Sequence, residues 1–244
     1  MNGTILVLTL RQLLGKRRAL FMIVIAALPV LAAVIFRLAD PDVSPQRWTA
    51  NHLLAQLMIP LLQPLTTLVF GTTALGMEIE DGTIVYLLAK PLRRFDVIVS
   101  KLTAAWLPAA ALLVLSTIVS TIIALGSDNS SILIGFTIAI VLGSLVYCCI
   151  FLTLSVFTNH ALIAGLIYVF LWEGVATELF TGTRYISVRH YTLGVADLIA
   201  ETSRRTFRAD IDGTVALVLM AIAGVAALAL AVRRLSRFEI RTNA

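Results

Sequence analysis

The sequence predicts an all-α integral membrane protein that forms one domain over residues 1–244, and three observations carry this prediction. Hydrophobic residues make up 59% of the chain and charged residues only 14%, whereas a soluble domain has about 25% charged residues. The apolar residues form long unbroken runs, which favour helices over the short alternating segments of a barrel. At about 20 residues for each crossing, the length accommodates six spans.

The six apolar runs give the expected spans in order. They lie at about 19–38, 53–77, 97–125, 131–158, 161–180 and 213–232. The fifth run is the least typical, because it contains Glu173 and Glu178. The adjacent cysteines Cys148 and Cys149 lie inside the fourth run, where we interpret them as small packing residues rather than as a disulfide or redox site.

Two further segments have the character of membrane-surface helices. Residues 3–18 place apolar side chains ahead of a basic cluster, which predicts an N-terminal interfacial helix on the inner leaflet. The alternative is a plain extension of the first span. Residues 181–212 form the longest segment outside the spans, and within it YTLGVADLIAET predicts a short amphipathic helix on the outer face.

The distribution of basic residues predicts the orientation in the membrane. Twelve of the nineteen Lys and Arg residues lie in the N-terminal segment, the 77–101 region and the C-terminal tail, and seven lie in the two opposite loops. Because short cytoplasmic loops carry an excess of Lys and Arg, we expect both termini in the cytoplasm and the chain in the cell membrane. This bias also accounts for the net charge of +5, so we expect no nucleic-acid partner.

Several catalytic and metal-binding patterns do not occur in the sequence. There is no G-x-x-x-x-G-K-[ST] phosphate-binding loop, so we expect no ATP site on this chain. There is no H-E-x-x-H pattern, and His52, His160 and His190 are far apart, so we expect no metal site. We also find no serine nucleophile with a histidine partner within the spans. The chain is therefore expected to have no catalytic residues and not to be an enzyme.

The stretch MEIEDGTIVYLLAKPLRRFDVIVSK, residues 77–101, carries four acidic and four basic residues between two spans. Asp81 can cap a short helix, and Pro91 ends it. Ile84, Leu87 and Leu88 would share one face of that helix. An apolar ridge with a charged rim suits docking to a soluble protein, and the alternative is a solvated loop anchored in lipid.

This stretch resembles the loop between the second and third spans of the type-2 family of ABC transporter permeases. The resemblance is carried by Glu78, the run Glu80-Asp81-Gly82-Thr83, the pairs Leu87-Leu88, Lys90-Pro91 and Arg93-Arg94, and Lys101. In that family the loop carries a coupling helix that docks on a separate ATPase subunit. The resemblance therefore implies that the following residues contact the ATPase: Asp81, Gly82, Thr83, Tyr86, Leu87, Leu88, Lys90, Arg93 and Arg94.

The resemblance also implies the assembly and the activity. Two permease chains, identical or different, would work with two cytoplasmic ATPase chains, which hold ATP and Mg²⁺. The assembly would export a lipid, a drug or another amphiphile. Short re-entrant outer helices would follow the fifth span. Two alternatives stay open: a permease subunit for the maturation of a metal or haem enzyme, and a membrane scaffold that needs no ATPase.

Two polar residues inside the expected spans are candidates for a substrate path. Glu173 lies deep in the fifth span, where a carboxylate is costly and usually faces protein or water. It would face the path and bind a cationic group. The alternative is that the helix bends after Glu173, so that Glu173 and Glu178 are simply hydrated. Gln63, with Pro60 and Pro64 nearby and Pro108 in the third span, would mark a hinge or a polar lining of the path. The alternative is a static irregularity in helix packing.

Overall fold

The computed structural model describes residue 9 and residues 16–39, 42–80, 94–126, 130–200 and 207–236. Over these ranges the chain is helical almost throughout and contains no strand. Six of the described helical runs are long and apolar enough to cross a membrane. The predicted all-α, six-span fold is thus confirmed. The expected coupling helix, and most of the expected interfacial helix at residues 3–18, lie outside the described residues.

The six long helical runs follow one another with short connections. Helix α1 is Lys16–Ala39, and α2 is a continuous run of Pro45–Trp48, Thr49–Leu62 and Gln63–Glu80. Helix α3 is Arg94–Leu125, and α4 is Ser130–Phe157. Helix α5 consists of Ala161–Ile167, Tyr168–Ala176 and Thr177–Leu179, and a 3₁₀ turn, Thr181–Ile186, follows it. A shorter helix, α6, is Val188–Ala200. The sixth long run is α7, Gly213–Ser236.

Helix α2 begins earlier than its apolar run, at Pro45 instead of near residue 53. Proline is favoured in the first turn of a helix, because its fixed φ suits that position and its missing N–H is not needed there. The polar first turns pack onto α1, where the Trp48 ring stacks on Phe36 with centroids 3.9 Å apart. Hydropathy located the apolar part of the helix, and the proline marks its true start.

Helix α6 differs from the expected surface helix in its start and its position. It begins at Val188 rather than near Tyr191, and it packs against α4 and α7 inside the bundle. Val195 and Ala196 are completely buried, and only side chains such as Leu198 on the other face are exposed. The helix predicted from sequence is present, but protein covers its buried face, and that face includes Val195 and Ala196 and not Leu198.

The core of the bundle is organised around α4. This helix packs against α2, α3, α6 and α7, and it also touches α5. Its buried aromatic side chains, Phe136, Tyr147 and Phe151, belong to the largest apolar cluster. A second cluster lies toward the opposite end of α4 and includes Leu75, Val97 and Ile98 from α2 and α3. Helix α1 packs mainly on α3, where the Ser116 hydroxyl donates to the Ala26 carbonyl oxygen at 2.6 Å, and it adds Ile25 and Met22 to the two clusters.

Close contact between α4 and α6 requires glycine at two positions of α4. A Cβ atom at Gly135 would lie 2.7 Å from the Ala200 backbone nitrogen. A Cβ atom at Gly143 would lie 2.3 Å from both the Thr192 hydroxyl and the Gln63 amide nitrogen. The two helices therefore run side by side over two turns or more, and small residues permit the approach, as is common between membrane helices.

We predict that Gly135→Ala destabilises the fold. The added methyl group meets helix backbone, which cannot move aside as a flexible side chain can, and overpacking of this kind costs about 1–3 kcal/mol. The midpoint of thermal unfolding in detergent should fall by about 3 °C or more. Gly224→Ala is the matched control, because its Cβ atom would meet Val146 at an ordinary 3.5 Å. An equal loss in both variants would contradict the packing of α6 on α4.

Candidate functional site

Glu173 of α5 is the most deeply buried carboxylate among the described residues, with 2% of the residue exposed. Four donors surround its two oxygens. The Tyr168 hydroxyl donates to Oε1 at 2.9 Å, and the Ser187 hydroxyl donates to Oε2 at 2.5 Å. The backbone N–H groups of Val188 and Arg189 donate at 3.0 and 3.4 Å. Both oxygens are therefore fully engaged by the protein.

The two backbone donors are the first N–H groups of α6, so Glu173 caps that helix from a different element. The first N–H groups of a helix have no partner within it and carry partial positive charge. A carboxylate placed there satisfies these donors and interacts favourably with the helix dipole. The same donors replace the water that the carboxylate loses on burial. Glu173 and the start of α6 thus stabilise each other inside the membrane-spanning part of the protein.

A chain of polar contacts continues from Glu173 across α6. Because Ser187 has one hydroxyl hydrogen and donates it to Glu173, the imidazole Nδ1 of His190 must carry the proton in its 3.0 Å contact with Ser187. The other ring nitrogen, Nε2, then carries no hydrogen; it lies 3.6 Å from the carboxylate of Asp210, which pairs with Arg184 at 3.2 Å. Burial, and after it the positive charge of Arg189, lowers the pKa of His190 to about 4. His190 is therefore neutral at physiological pH.

The expectation that Glu173 is simply hydrated is wrong, because the residue is buried and bonded. Glu178, in contrast, is largely exposed and pairs with Arg189 at 3.1 Å, so hydration describes Glu178 well. The assignment of Glu173 to a substrate path stays a prediction. The structure adds that a substrate would have to compete with four protein donors for this carboxylate.

Gln63, the second residue assigned to the path, lies where α2, α4 and α6 meet. Its side chain is completely buried, and its amide nitrogen donates to the Ile140 carbonyl oxygen at 3.2 Å. Its amide oxygen has no hydrogen-bond partner among the described residues. Pro60 lies within the wider π-helical part of α2, which ends at Leu62, just before Gln63. The structure thus brings Gln63 to the α4–α6 contact, and its role in a path stays a prediction.

A buried ion pair joins the two helices that flank the charged loop. The ammonium group of Lys101 on α3 donates to the carboxylate of Glu78 on α2, and Lys101 is only 1% exposed. Lys101 lies seven residues after Arg94, the first residue of α3, and hence about 10 Å along that helix. Leu75 and Ile98, one turn away on each helix, are fully buried. The pair therefore fixes the end of α2 against the beginning of α3.

Of the residues predicted to contact an ATPase, the structure describes only Arg94, which is partly exposed at the beginning of α3. The others lie outside the described residues. The sequence did not predict the roles of Ser187, His190 and Asp210. Ser187 binds Glu173, His190 contacts Ser187, and Asp210 lies beside His190. The available signal was Ser187 itself, since serine just before an apolar run is a typical N-cap. The distant partner Asp210 gave no signal in the sequence.

We predict that the stability of the protein falls as the pH falls below about 6.5, because of His190. Its pKa is lower when the protein is folded than in the unfolded chain, so protons bind preferentially to the unfolded chain and favour it. The loss should reach about 2 kcal/mol between about pH 6.5 and about pH 5. Thermal unfolding in detergent across this range measures it.

His190→Asn should flatten this pH dependence, since asparagine stays neutral. His160→Asn, at an exposed histidine that gives α5 no side-chain cap, should not. The groups that face His190 are Ser187, Asp210, Arg184, Arg189 and Glu178. An unchanged slope in His190→Asn would show that the pH dependence arises elsewhere.

Comparison with known proteins identifies the family of this chain. A comparison with curated proteins finds no match. A family model described as "ABC-2 family transporter protein" matches residues 14–182. The match covers the greater part of the chain, including α1 to α5, the charged loop, Gln63, Glu173 and the Glu78–Lys101 pair. The chain belongs to the ABC-2 family of transporter proteins and is a multi-pass membrane permease.

Proposed function

We propose that this chain is the membrane-spanning subunit of an ATP-driven exporter and that it couples ATP hydrolysis on a separate subunit to the outward movement of an amphiphile. The observation that carries the proposal is the Glu78–Lys101 ion pair, which joins the two ends of the charged loop. The chain that contains it belongs to the ABC-2 family. The six apolar helices and the docking pattern of residues 81–94 support it. Both termini and this loop would face the cytoplasm, in the cell membrane.

The Glu78–Lys101 pair explains how the loop acts on the spans. A docked ATPase would push on residues 81–93, and the force would reach α2 and α3 at the two ends of the loop. Because the ion pair joins these ends inside an apolar cluster, the two helices would move as one body. Both helices pack on α4. The movement of the loop would therefore reach the centre of the bundle.

The partners follow from the same mechanism. The ATPase would be a separate cytoplasmic chain, and it would hold ATP and Mg²⁺, since the sequence of this chain has no phosphate-binding loop pattern. A second permease chain, identical or related, would complete the path. The residues proposed to contact the ATPase are Asp81, Gly82, Thr83, Tyr86, Leu87, Leu88, Lys90, Arg93 and Arg94.

The proposed cargo is a lipid, a drug or another amphiphile, as the membership of the ABC-2 family suggests. Gln63 and Glu173 are the polar residues that we propose for the path. Gln63 supports this better than Glu173, because its amide oxygen keeps its hydrogen-bonding capacity. An amphiphile with a donor group would fit that oxygen, since unmet buried acceptors are costly.

The apolar ridge of the loop is tested by Leu87→Asp combined with Leu88→Asp. Each leucine that is buried on docking contributes about 1.5–3 kcal/mol, so the double variant should bind the ATPase about a hundredfold more weakly or worse. Transport in reconstituted vesicles should fall with it, while the permease still inserts in the membrane. Leu87→Met with Leu88→Met is the control of similar volume and should retain binding and transport. Normal transport by the aspartate variant would disprove the docking role.

The ion pair is tested by Glu78→Gln, which leaves the ammonium group of Lys101 buried without its countercharge. Breaking one side of a buried pair costs about 3–5 kcal/mol. The variant should lose stability, and ATP hydrolysis by the separate ATPase bound to it should no longer respond to substrate. The exchanged double variant Glu78→Lys, Lys101→Glu should recover part of both.

Glu178→Gln provides the control for this experiment, because it breaks a more exposed ion pair, with Arg189. Such pairs contribute about 1 kcal/mol or less. If Glu78→Gln behaves like Glu178→Gln, the Glu78–Lys101 pair does not transmit movement between the loop and the spans.

A further inference from the structure

An apolar groove lies between α3, α4 and α7, away from Glu173 and from the charged loop. Its volume is about 350 Å³, and every residue that lines it is apolar. The groove exists because α3 and α7 both pack along α4 but make few contacts with each other. Val146 and Cys149 of α4 and Gly224 of α7 are among the residues that line it. We infer that this groove binds one fatty acyl chain of a bilayer phospholipid.

The apolar lining of the groove favours a hydrocarbon ligand. All three helices are long and apolar enough to cross the membrane, so the groove lies within the hydrocarbon region of the bilayer. Its lining gives no donor or acceptor side chain that would hold a sugar, a phosphate or an ordered water, and an isolated polar group there would be costly. Leu217 and Val225 on its edge are 44% and 69% exposed, so the groove opens toward lipid.

The shape of the groove selects a linear chain rather than a helix of another protein. Along α7 it extends from Leu217 to Leu228, which is about 16 Å at the rise of an α-helix. All the open space between its walls, about 790 Å³, gives a mean cross-section of about 50 Å² over this length, which is narrower than the about 80 Å² of a helix about 10 Å across. A saturated acyl chain fits such a slot, and a helix does not. The chain would bridge α3 and α7 and supply the dispersion contacts that these helices lack.

The position of the groove connects it to the rest of the protein. Leu102, which lines one end, is the next residue after Lys101 of the buried ion pair. A bound acyl chain would therefore stabilise the part of α3 that carries this pair against α7. The inference does not depend on export or on an ATPase, because it rests only on the membrane-embedded fold.

The experiment uses the full chain reconstituted in phosphatidylcholine vesicles that contain some phosphatidylcholine with a photoreactive diazirine in the middle of one acyl chain. After irradiation, peptide mass spectrometry locates the adducts. We expect Leu228, Val225 and the other groove residues to be labelled well above Ile222 and Leu230, which are exposed on α7 but lie outside the groove. This comparison within the unaltered protein needs no variant.

Two variants that fill the groove then test whether occupancy causes the labelling. Gly224→Leu has room for its Cβ atom, which meets Val146 at 3.5 Å, and Ala221→Leu fills the same slot from the next turn. Each should lower the labelling of the groove about tenfold, the loss expected when two methylenes of the lipid lose their contacts. Ala226→Leu makes the same change on an exposed face outside the groove and should leave the labelling unchanged.

Three results would overturn the inference. The first is equal labelling of the groove and of Ile222, which would indicate only general contact with the bilayer. The second is labelling that both filling variants leave unchanged. The third is protection of the groove from lipid together with chemical cross-links from it to a second copy of the chain, which would assign the groove to a protein interface.

Discussion

The carboxylate of Glu173 at the N-terminus of α6 is the interaction on which the inner arrangement of this protein depends. Hydrocarbon can solvate neither a carboxylate nor the free N–H groups that begin a helix. Brought together, the two satisfy each other, with Ser187 and Tyr168 completing the coordination. This allows α6 to lie among α4 and α7 rather than on a surface. The glycines at the α4–α6 contact, Gly135 and Gly143, follow from that position.

The Glu78–Lys101 pair also places a charged group away from water, and there a different interaction compensates for the lost hydration. There a charge is balanced by an opposite charge, not by backbone N–H groups. A cap keeps a helix in place, whereas this ion pair adds a charged contact to the apolar packing that already joins α2 and α3. The first device stabilises the inner bundle, and the second lies at the base of the loop that connects α2 to α3. In the mechanism that we propose, the first device would keep the bundle rigid and the second would be the point at which force enters it.

Hydropathy predicted the six spans well, because long apolar runs have few other uses in a protein of this size. It placed the start of α2 too late, since Pro45 and the polar turn after it carry no apolar signal. It also placed α6 on the membrane surface, because an amphipathic pattern does not reveal whether lipid or protein covers the apolar face. The partners of Glu173 were not predictable, since Ser187 and Asp210 reach the network only through the fold. Glu178 is exposed, as expected. Its place near the end of an apolar run already indicated that it lies close to the membrane surface.

Isolation of the native complex would show directly whether this permease works with a separate ATPase. The tagged chain would be extracted gently from its own membrane, and the proteins that accompany it would be identified and quantified by mass spectrometry. We expect a soluble protein with a phosphate-binding loop, in equal amount to the permease, that is retained through its contact with residues 81–94. A preparation that contains no such protein, even with ATP present and after cross-linking from position 87, would contradict this expectation.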